Sequence, residues 1–278
     1  MRTLAQYLLP HRIIAKIAEL SANCEIKLVK NYLINYFIQR YAVNMQEAVE
    51  PNPFAYVSYN KFFTRKLRPE CRPIDDNANS IISPADGTMA QIGNIVDQQI
   101  IQAKGHNYSL AGLLANDPCY KDFINGKFAT IYLAPKDYHR VHMPLNGKLK
   151  KMWYVPGKLF SVNKHAAENI PSVFARNERI IALFDTQAGQ MAVILVGAMI
   201  VGSMEMIWAS QITPPHSKQI NTWHYTGESA INIAKGDEIG LFKLGSTVIV
   251  LFTAQANNWD IDIDSDVKMG AKIGFINI

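Results

Sequence analysis

Three cysteines serve 278 residues, Cys24, Cys71 and Cys119, widely spaced and with no CxxC pair among them. That excludes a disulfide framework and a zinc ribbon and points to a reducing compartment. Long apolar runs are missing too. None approaches the roughly 20 residues needed to cross a bilayer, and no compact apolar segment ends in a small-residue cleavage site, so neither a spanning helix nor a signal peptide is expected. There is no GxGxxG after a strand and no GxxxxGK[ST], which removes nucleotide binding. The absence of GxSxG argues against an ordinary α/β-hydrolase. Charge is sparse and nearly balanced, 28 basic against 23 acidic residues for a net +5. That fits an acidic partner or ordinary surface lysines equally well, and nothing calls for nucleic acid.

What remains is a globular composition, 49% hydrophobic, long enough for one large or two small domains. In the first 45 residues Leu4, Leu8, Ile14 and Ile17 keep helical spacing, and so do Ile26, Val29, Leu33 and Phe37. Arg2, Arg12, Lys16, Lys27, Lys30 and Arg40 are interleaved with them against only Glu19 and Glu25. Basic amphipathic helices of this kind lie in a membrane interface or pack on their own protein. Beyond about residue 50 short apolar stretches alternate with Gly, Pro, Asn and Asp, as strands do between turns, and Asn146-Gly147 is a hairpin signal. "SVNKHAAENIPSVFA" reads as a loop with a short helix. "DIDIDSD", Asp260 to Asp266, opens like a calcium loop, but Ser265 and Ala271 stand where Gly and Glu are needed. A strand with solvated carboxylates on one face fits it better, and no metal site is expected. The expected fold is α+β: N-terminal amphipathic helices (1–50), then a mainly antiparallel β catalytic domain (51–278).

Two stretches carry chemistry. "APKDYHRVHMP" holds His139 and His142 three residues apart, with Asp137 just upstream, between prolines that fence off a helix. On a flat strand that spacing sends the two rings to opposite faces, so one shared site requires a bend. "SPADG" adds Asp86, although Pro-Ala-Asp-Gly is also ordinary turn chemistry. The other stretch is "FKLGSTVIVLF", where Gly245, Ser246 and Thr247 lead into an apolar strand. A hydroxyl entering a core needs a reason. The Ser246 hydroxyl can attack the carbonyl of Gly245, whose missing Cβ clears the approach, with His142 oriented by a carboxylate to take the proton. The resulting ester eliminates to dehydroalanine, which hydrolyses to ammonia and a pyruvoyl group.

From "FFTRKLRP" to "GSTVIVLF" the sequence resembles the bacterial, membrane-associated phosphatidylserine decarboxylases. The likeness runs through "SPADG", "YLAPKDYHRVHMP", "YVPGKLFSVN", "ARNERIIALFDT", "ILVGAMIVGSME" and "LGST". It implies that Ser246 becomes a covalent pyruvoyl cofactor, with Asp86 and His142 as the relay for self-cleavage and Asp137 near His142. His139 falls where the family handles substrate during decarboxylation. Cleavage between Gly245 and Ser246 would leave a β chain (1–245) and an α chain (246–278) joined as a heterodimer, and a further homo-oligomer stays open. The implied reaction converts phosphatidylserine to phosphatidylethanolamine and carbon dioxide through a Schiff base on the pyruvoyl group. The implied place is the cytoplasmic side of the cell membrane, peripherally bound to an anionic surface. Two alternatives remain: a pyruvoyl decarboxylase acting on another amine, and a membrane-binding β module that never matures.

Overall fold

Ser246–Phe252 is buried at every position, the pattern of a strand covered on both faces. The computed structural model describes all residues except 1–5, 8, 104, 200–202, 215, 244–245, 254–256 and 277–278. Its helices are α1 (His11–Ala22), α2 (Lys27–Tyr41), α3 (Tyr59–Phe63), α4 (Leu110–Leu113), α5 (Lys164–Asn169) and α6 (Val173–Arg176). The strands begin with β1 (Ser80–Ile82), β2 (Gly87–Asn94), β3 (Gln99–Ala103), β4 (His106–Ser109), β5 (Lys127–Leu133), β6 (Arg140–His142) and β7 (Gly147–Val155). They continue with β8 (Arg179–Thr186), β9 (Gly189–Val196), β10 (Ser203–Met206), β11 (Ser210–Thr213), β12 (Asn221–His224) and β13 (Ile231–Ile233). The last are β14 (Glu238–Lys243), β15 (Ser246–Phe252), β16 (Asn257–Trp259), β17 (Asp266–Val267) and β18 (Lys272–Ile276).

The expected α+β class is what folds. A nine-stranded sheet runs β12-β7-β8-β9-β15-β5-β2-β17, with β13 beside β7, and its strand pairs are antiparallel. A second sheet runs β11-β10-β14-β6. Along β15 the side chains alternate, so Ser246, Val248 and Val250 share one face. Val248 lies opposite Leu195, and a Cβ on Gly240 of β14 would come within 3.4 Å of the Leu195 side chain. The second sheet therefore packs on the face that carries Ser246. The other face carries Arg179, whose guanidinium donates to the carbonyls of Gly112 and Leu113 (2.7 Å each) and so lies under α4.

The helices have two apolar faces each. Ile34 and Phe37 of α2 pack with Ala22, Val43, Tyr59, Phe62 and Phe63 in a small core of their own. Meanwhile Ile13, Ile17 and Leu20 of α1, and Leu28, Tyr32 and Tyr36 of α2, keep i, i+3 or i, i+4 spacing and stay exposed. Of the apolar positions singled out in the sequence, Ile17, Ile26 and Val29 face solvent, Ile14 and Leu33 are half-buried, and Phe37 is turned into the protein. Leu4 and Leu8 lie outside the described residues. Among the described residues no helix is long and apolar enough to cross a membrane.

Three local expectations fail. Asn146-Gly147 closes no hairpin, because β6 pairs with β14 while β7 pairs with β8. The Asn146 side chain instead accepts the Lys235 amide at 2.7 Å. Asp260 to Asp266 is no single strand. Asp264 takes a left-handed φ of 65°, which breaks the extended run, while Asp260 and Asp264 pair with the exposed Lys272 and Lys164. Nor is "FKLGSTVIVLF" one strand. Phe242 and Lys243 end β14 in the smaller sheet, whereas Ser246 begins β15 in the larger one. Lys243 and Ser246 therefore belong to different sheets.

Candidate active site

Pro135 falls in the turn after β5, and the chain reverses through Asp137 before entering β6 at Arg140. His139 precedes the strand and His142 ends it, which supplies the bend that two neighbouring histidines require. The Asp137 carboxylate accepts the Ala134 amide at 2.8 Å and closes this turn. Burial, with the charge of Asp86 adding to it, pushes the Asp137 carboxyl up. The "SPADG" turn runs alongside. The His142 amide donates to the Pro84 carbonyl at 2.7 Å, and the Ile82 amide to the Pro144 carbonyl at 3.1 Å. A Cβ on Gly87 would meet the Tyr132 carbonyl at 2.3 Å, so only glycine lets the turn close against the end of β5.

Ser246 sits opposite Leu133 on β5, one residue past the row in which Thr247 faces Tyr132 and Tyr132 faces Thr88. Continuing that register places Gly87 beside Leu133, so the Asp86 turn and the start of β15 lie about two strand spacings apart, on the order of 10 Å. His139 reaches the same end from the smaller sheet, its carbonyl accepting the Phe242 amide at 3.0 Å. Asp86, Asp137, His139, His142 and Ser246 thus gather at one end of the two packed sheets. A cleft of about 290 Å³ opens there, lined by Asp86, Asp137 and Tyr138 among others. On the opposite face, a cavity of about 370 Å³ is bordered by Thr88, Tyr132, Val162 and Phe174.

The polar atoms are held unequally. The Ser246 hydroxyl is wholly buried and has no hydrogen-bond partner among the described residues. His139 places Nδ1 2.8 Å from the Asp137 carbonyl, and its Nε2 has no partner among the described residues. A carbonyl can only accept, so Nδ1 carries the proton and Nε2 an open lone pair. Burial holds this imidazole neutral and drops its pKa to about 3. His142 repeats the arrangement. Nδ1 donates to the Gly236 carbonyl at 2.8 Å and Nε2 faces the Tyr138 hydroxyl at 3.3 Å. Burial lowers its pKa as well. Both rings are therefore neutral bases near pH 7.

The expected contact between Asp86 and His142 is not made. Asp86 is held instead by Arg72, whose Nε lies 2.8 and 3.1 Å from the two carboxylate oxygens and whose Nη2 lies 2.5 Å from Oδ2. The Met269 amide donates to Asp86 Oδ1 at 2.9 Å, and Arg72 also reaches Glu47 at 2.7 Å. Sequence reasoning missed Arg72. It stands in "ECRPID", but nothing in that stretch tells which carboxylate it clamps. It missed Tyr138, whose hydroxyl burial keeps protonated. It also missed Phe63 of α3, whose ring packs 4.2 Å from that of His139.

Residues 59–275 match the phosphatidylserine decarboxylase family. The chain belongs to that family. Residues 1–42 match a second family, described as PSD. A relative from Pseudomonas putida is 49% identical over 275 residues, covering 97% of this chain and 96% of its own length. One from Bordetella petrii is 50% identical over 271 residues, covering 96% and 94%. Both are named phosphatidylserine decarboxylase proenzyme, as is one from Ectopseudomonas mendocina, 50% identical over 276 residues with 98% and 96% covered. The family match includes every residue gathered at the end of the sheets.

Proposed function

We propose that this chain matures by cutting itself between Gly245 and Ser246, and that the mature enzyme decarboxylates phosphatidylserine to phosphatidylethanolamine in phospholipid biosynthesis. The observation that carries the proposal is the Ser246 hydroxyl, wholly buried and without a partner among the described residues at the first position of a central strand. Burying an unpaired hydroxyl costs about 1–3 kcal/mol, and such a cost is kept where chemistry uses the group. Gly245 lies outside the described residues, but Ser246 begins β15 in a different sheet from Lys243.

In self-cleavage the Ser246 oxygen attacks the Gly245 carbonyl carbon and its proton passes to a histidine. The peptide C–N bond breaks, leaving an ester and a free amine at residue 246. Loss of the Cα proton of residue 246 expels the Gly245 carboxylate. Water then replaces the nitrogen, releasing ammonia. His142, neutral and with its Nε2 lone pair toward Tyr138, is the base assigned to the first step. Asp86, fixed by Arg72 at 2.5–3.1 Å, is the carboxylate assigned to stabilise the charge that His142 gains. The residues fit the pyruvoyl group that results, since Ser246 itself supplies its atoms and a buried site shields a ketone from water. Once formed, the group serves as an electron sink for the pair left when carbon dioxide departs. His139 Nε2, whose lone pair has no partner among the described residues, is the atom assigned to take a proton from the substrate ammonium and to return it to the substrate carbon once carbon dioxide has left.

The exposed apolar faces of α1 and α2 suit an interfacial position on the cytoplasmic leaflet, where the lipid substrate resides. The deciding experiment is intact mass with and without a carbonyl-reactive hydrazide. Two chains are expected, with the hydrazide on the 33 residues from 246 to 278. Ser246→Ala should remain one chain of about 31.2 kDa with no adduct. Normal fragments from Ser246→Ala would sink the assignment, and turnover of other amines but not phosphatidylserine would refute the substrate.

A further inference from the structure

The start of α1 does not lie free on the protein. The His11 ring packs 5.0 Å from that of Phe160, and the Gln6 side chain accepts the Ser161 amide at 3.0 Å. Between this anchored segment and the loop after β7 runs a groove of about 750 Å³. It shares no lining residue with either cavity at the Ser246 end of the sheets. Its chemistry divides in two. Tyr7, Leu9 and Ile13 supply exposed apolar surface, and Ile13 begins the exposed stripe that continues through Ile17 and Leu20. Arg12, Lys158, Arg176 and Lys218 supply four cations, and no carboxylate lines the groove.

Those cations are not committed elsewhere. Among the described residues Arg12, Lys158 and Lys218 make no side-chain hydrogen bond or ion pair, and all three are exposed. Arg176 is fixed in place, stacked 4.8 Å over Phe160 and 5.4 Å over Tyr7, and among the described residues its hydrogen-bond acceptors are the Pro171 carbonyl and the Tyr7 hydroxyl, each at 3.3 Å. The Glu178 amide donates to the Lys158 carbonyl at 2.9 Å, but its carboxylate does not line the groove. It is buried and already taken by Tyr154, Thr213 and His216. Four cations gathered from four separate chain segments around an apolar floor match an anion carried on acyl chains: the anion meets the cations while the chains continue along Ile13, Ile17 and Leu20.

We propose that this groove binds the headgroup of an anionic phospholipid of the bilayer, at a site separate from the reaction site. The occupant is a membrane lipid, since a free phosphate would leave Tyr7, Leu9 and Ile13 in water. The proposal rests on the interfacial reading of α1 and α2, and it adds a discrete headgroup site to what would otherwise be diffuse attraction. Its consequence is orientation: a lipid held here fixes how the protein stands on the surface while the reaction site stays open to substrate.

The test uses the mature enzyme and vesicles of phosphatidylcholine with or without phosphatidylglycerol. In Lys158→Glu/Lys218→Glu, two of the four cations are reversed at exposed positions outside the reaction machinery. One cation near such a surface is worth about fivefold in partitioning, so the variant should lose on the order of 30-fold or more of its affinity for phosphatidylglycerol vesicles at low salt. Binding to pure phosphatidylcholine, self-cleavage and turnover of a soluble short-chain phosphatidylserine should be unchanged. A parallel variant, Ile17→Ser/Leu20→Ser, should weaken binding to both vesicle types. If the wild type binds neither vesicle, the interfacial reading fails. If it prefers phosphatidylglycerol and the charge-reversed variant keeps that preference, the headgroup site fails. Lysine acetylation of the wild type, read by mass spectrometry, needs no variant. Soluble dihexanoyl phosphatidylglycerol should protect Lys158 and Lys218 several-fold, while dihexanoyl phosphatidylcholine and inorganic phosphate should not. Equal protection by phosphate, or none by the lipid, overturns the assignment.

Discussion

Replacing Arg72 with methionine removes a charge while keeping most of the side chain's volume, and it tests what holds Asp86. The carboxylate is 1% exposed. Without Arg72 it keeps the Met269 amide at 2.9 Å and the Lys268 ammonium at 3.9 Å, the latter on a side chain that is 60% exposed. A buried charge stripped of its partner typically costs 3–5 kcal/mol, against a total stability for a folded domain of about 5–15 kcal/mol. The measurement belongs in a Ser246→Ala background, so that cleavage does not confound unfolding. Urea titration of Arg72→Met should show a loss of roughly 3 kcal/mol or more. Arg72→Met/Asp86→Asn, in which the stranded charge is also removed, should recover a large part of it, with a coupling energy of about 2 kcal/mol. With Ser246 restored, Arg72→Met should cleave slowly, because Asp86 would no longer be held in place by the guanidinium. A loss under about 1 kcal/mol, or strictly additive single and double variants, would refute the account of Arg72 as the group that holds Asp86.

Two further outcomes separate the histidines and their protonation. His142→Ala should stay uncleaved, whereas His139→Ala should cleave at least partly yet decarboxylate poorly; equal processing defects would refute the division of roles. His139 is depressed from its ordinary 6.5 to about 3 when folded. Its contribution to stability is therefore complete above pH 6.5 and lost as the pH falls toward 3, because the unfolded chain binds the proton first. Between pH 7 and pH 5 this amounts to about 2 kcal/mol. In the Ser246→Ala background, His139→Asn should flatten that part of the urea-midpoint profile, and an unchanged slope would sink the idea.

Much of this was legible before the coordinates. The apolar run of β15, the proline-fenced bend around His139 and the helical spacing of residues 11–41 are local patterns, and local patterns survive folding. What could not be read depends on distant pairing. Asn146-Gly147 has the right residues for a hairpin, yet its flanking strands join different sheets, a choice made by β14 some ninety residues on. Asp86 and Arg72 are 14 residues apart, but no periodicity selects that pair over Asp86 and His142. The helices mislead in another way. A helix with apolar residues on two faces gives the same composition whichever face packs, so Phe37 could not be told from Val29 until Phe62 and Phe63 took one side. The unpaired lone pair on His139 is visible only once the Asp137 carbonyl has taken the other nitrogen.

The position of β15 has a consequence for how two chains could ever arise. It lies between β9 and β5, paired with each along its length, and further on β18 closes against β1 from the other end of the chain. A 33-residue piece that supplies the middle strand of a sheet has no sheet to join until its neighbours are in place, and those neighbours have an open seam until it arrives. Assembly must therefore come first and scission second. The proposed cut just ahead of Ser246 would sever the covalent link and leave β15 paired with β5 and β9, so the small chain would be retained by the fold. Separately made pieces, mixed after each has collapsed alone, should not reconstitute the enzyme, since the seam would have closed or aggregated before the strand could enter.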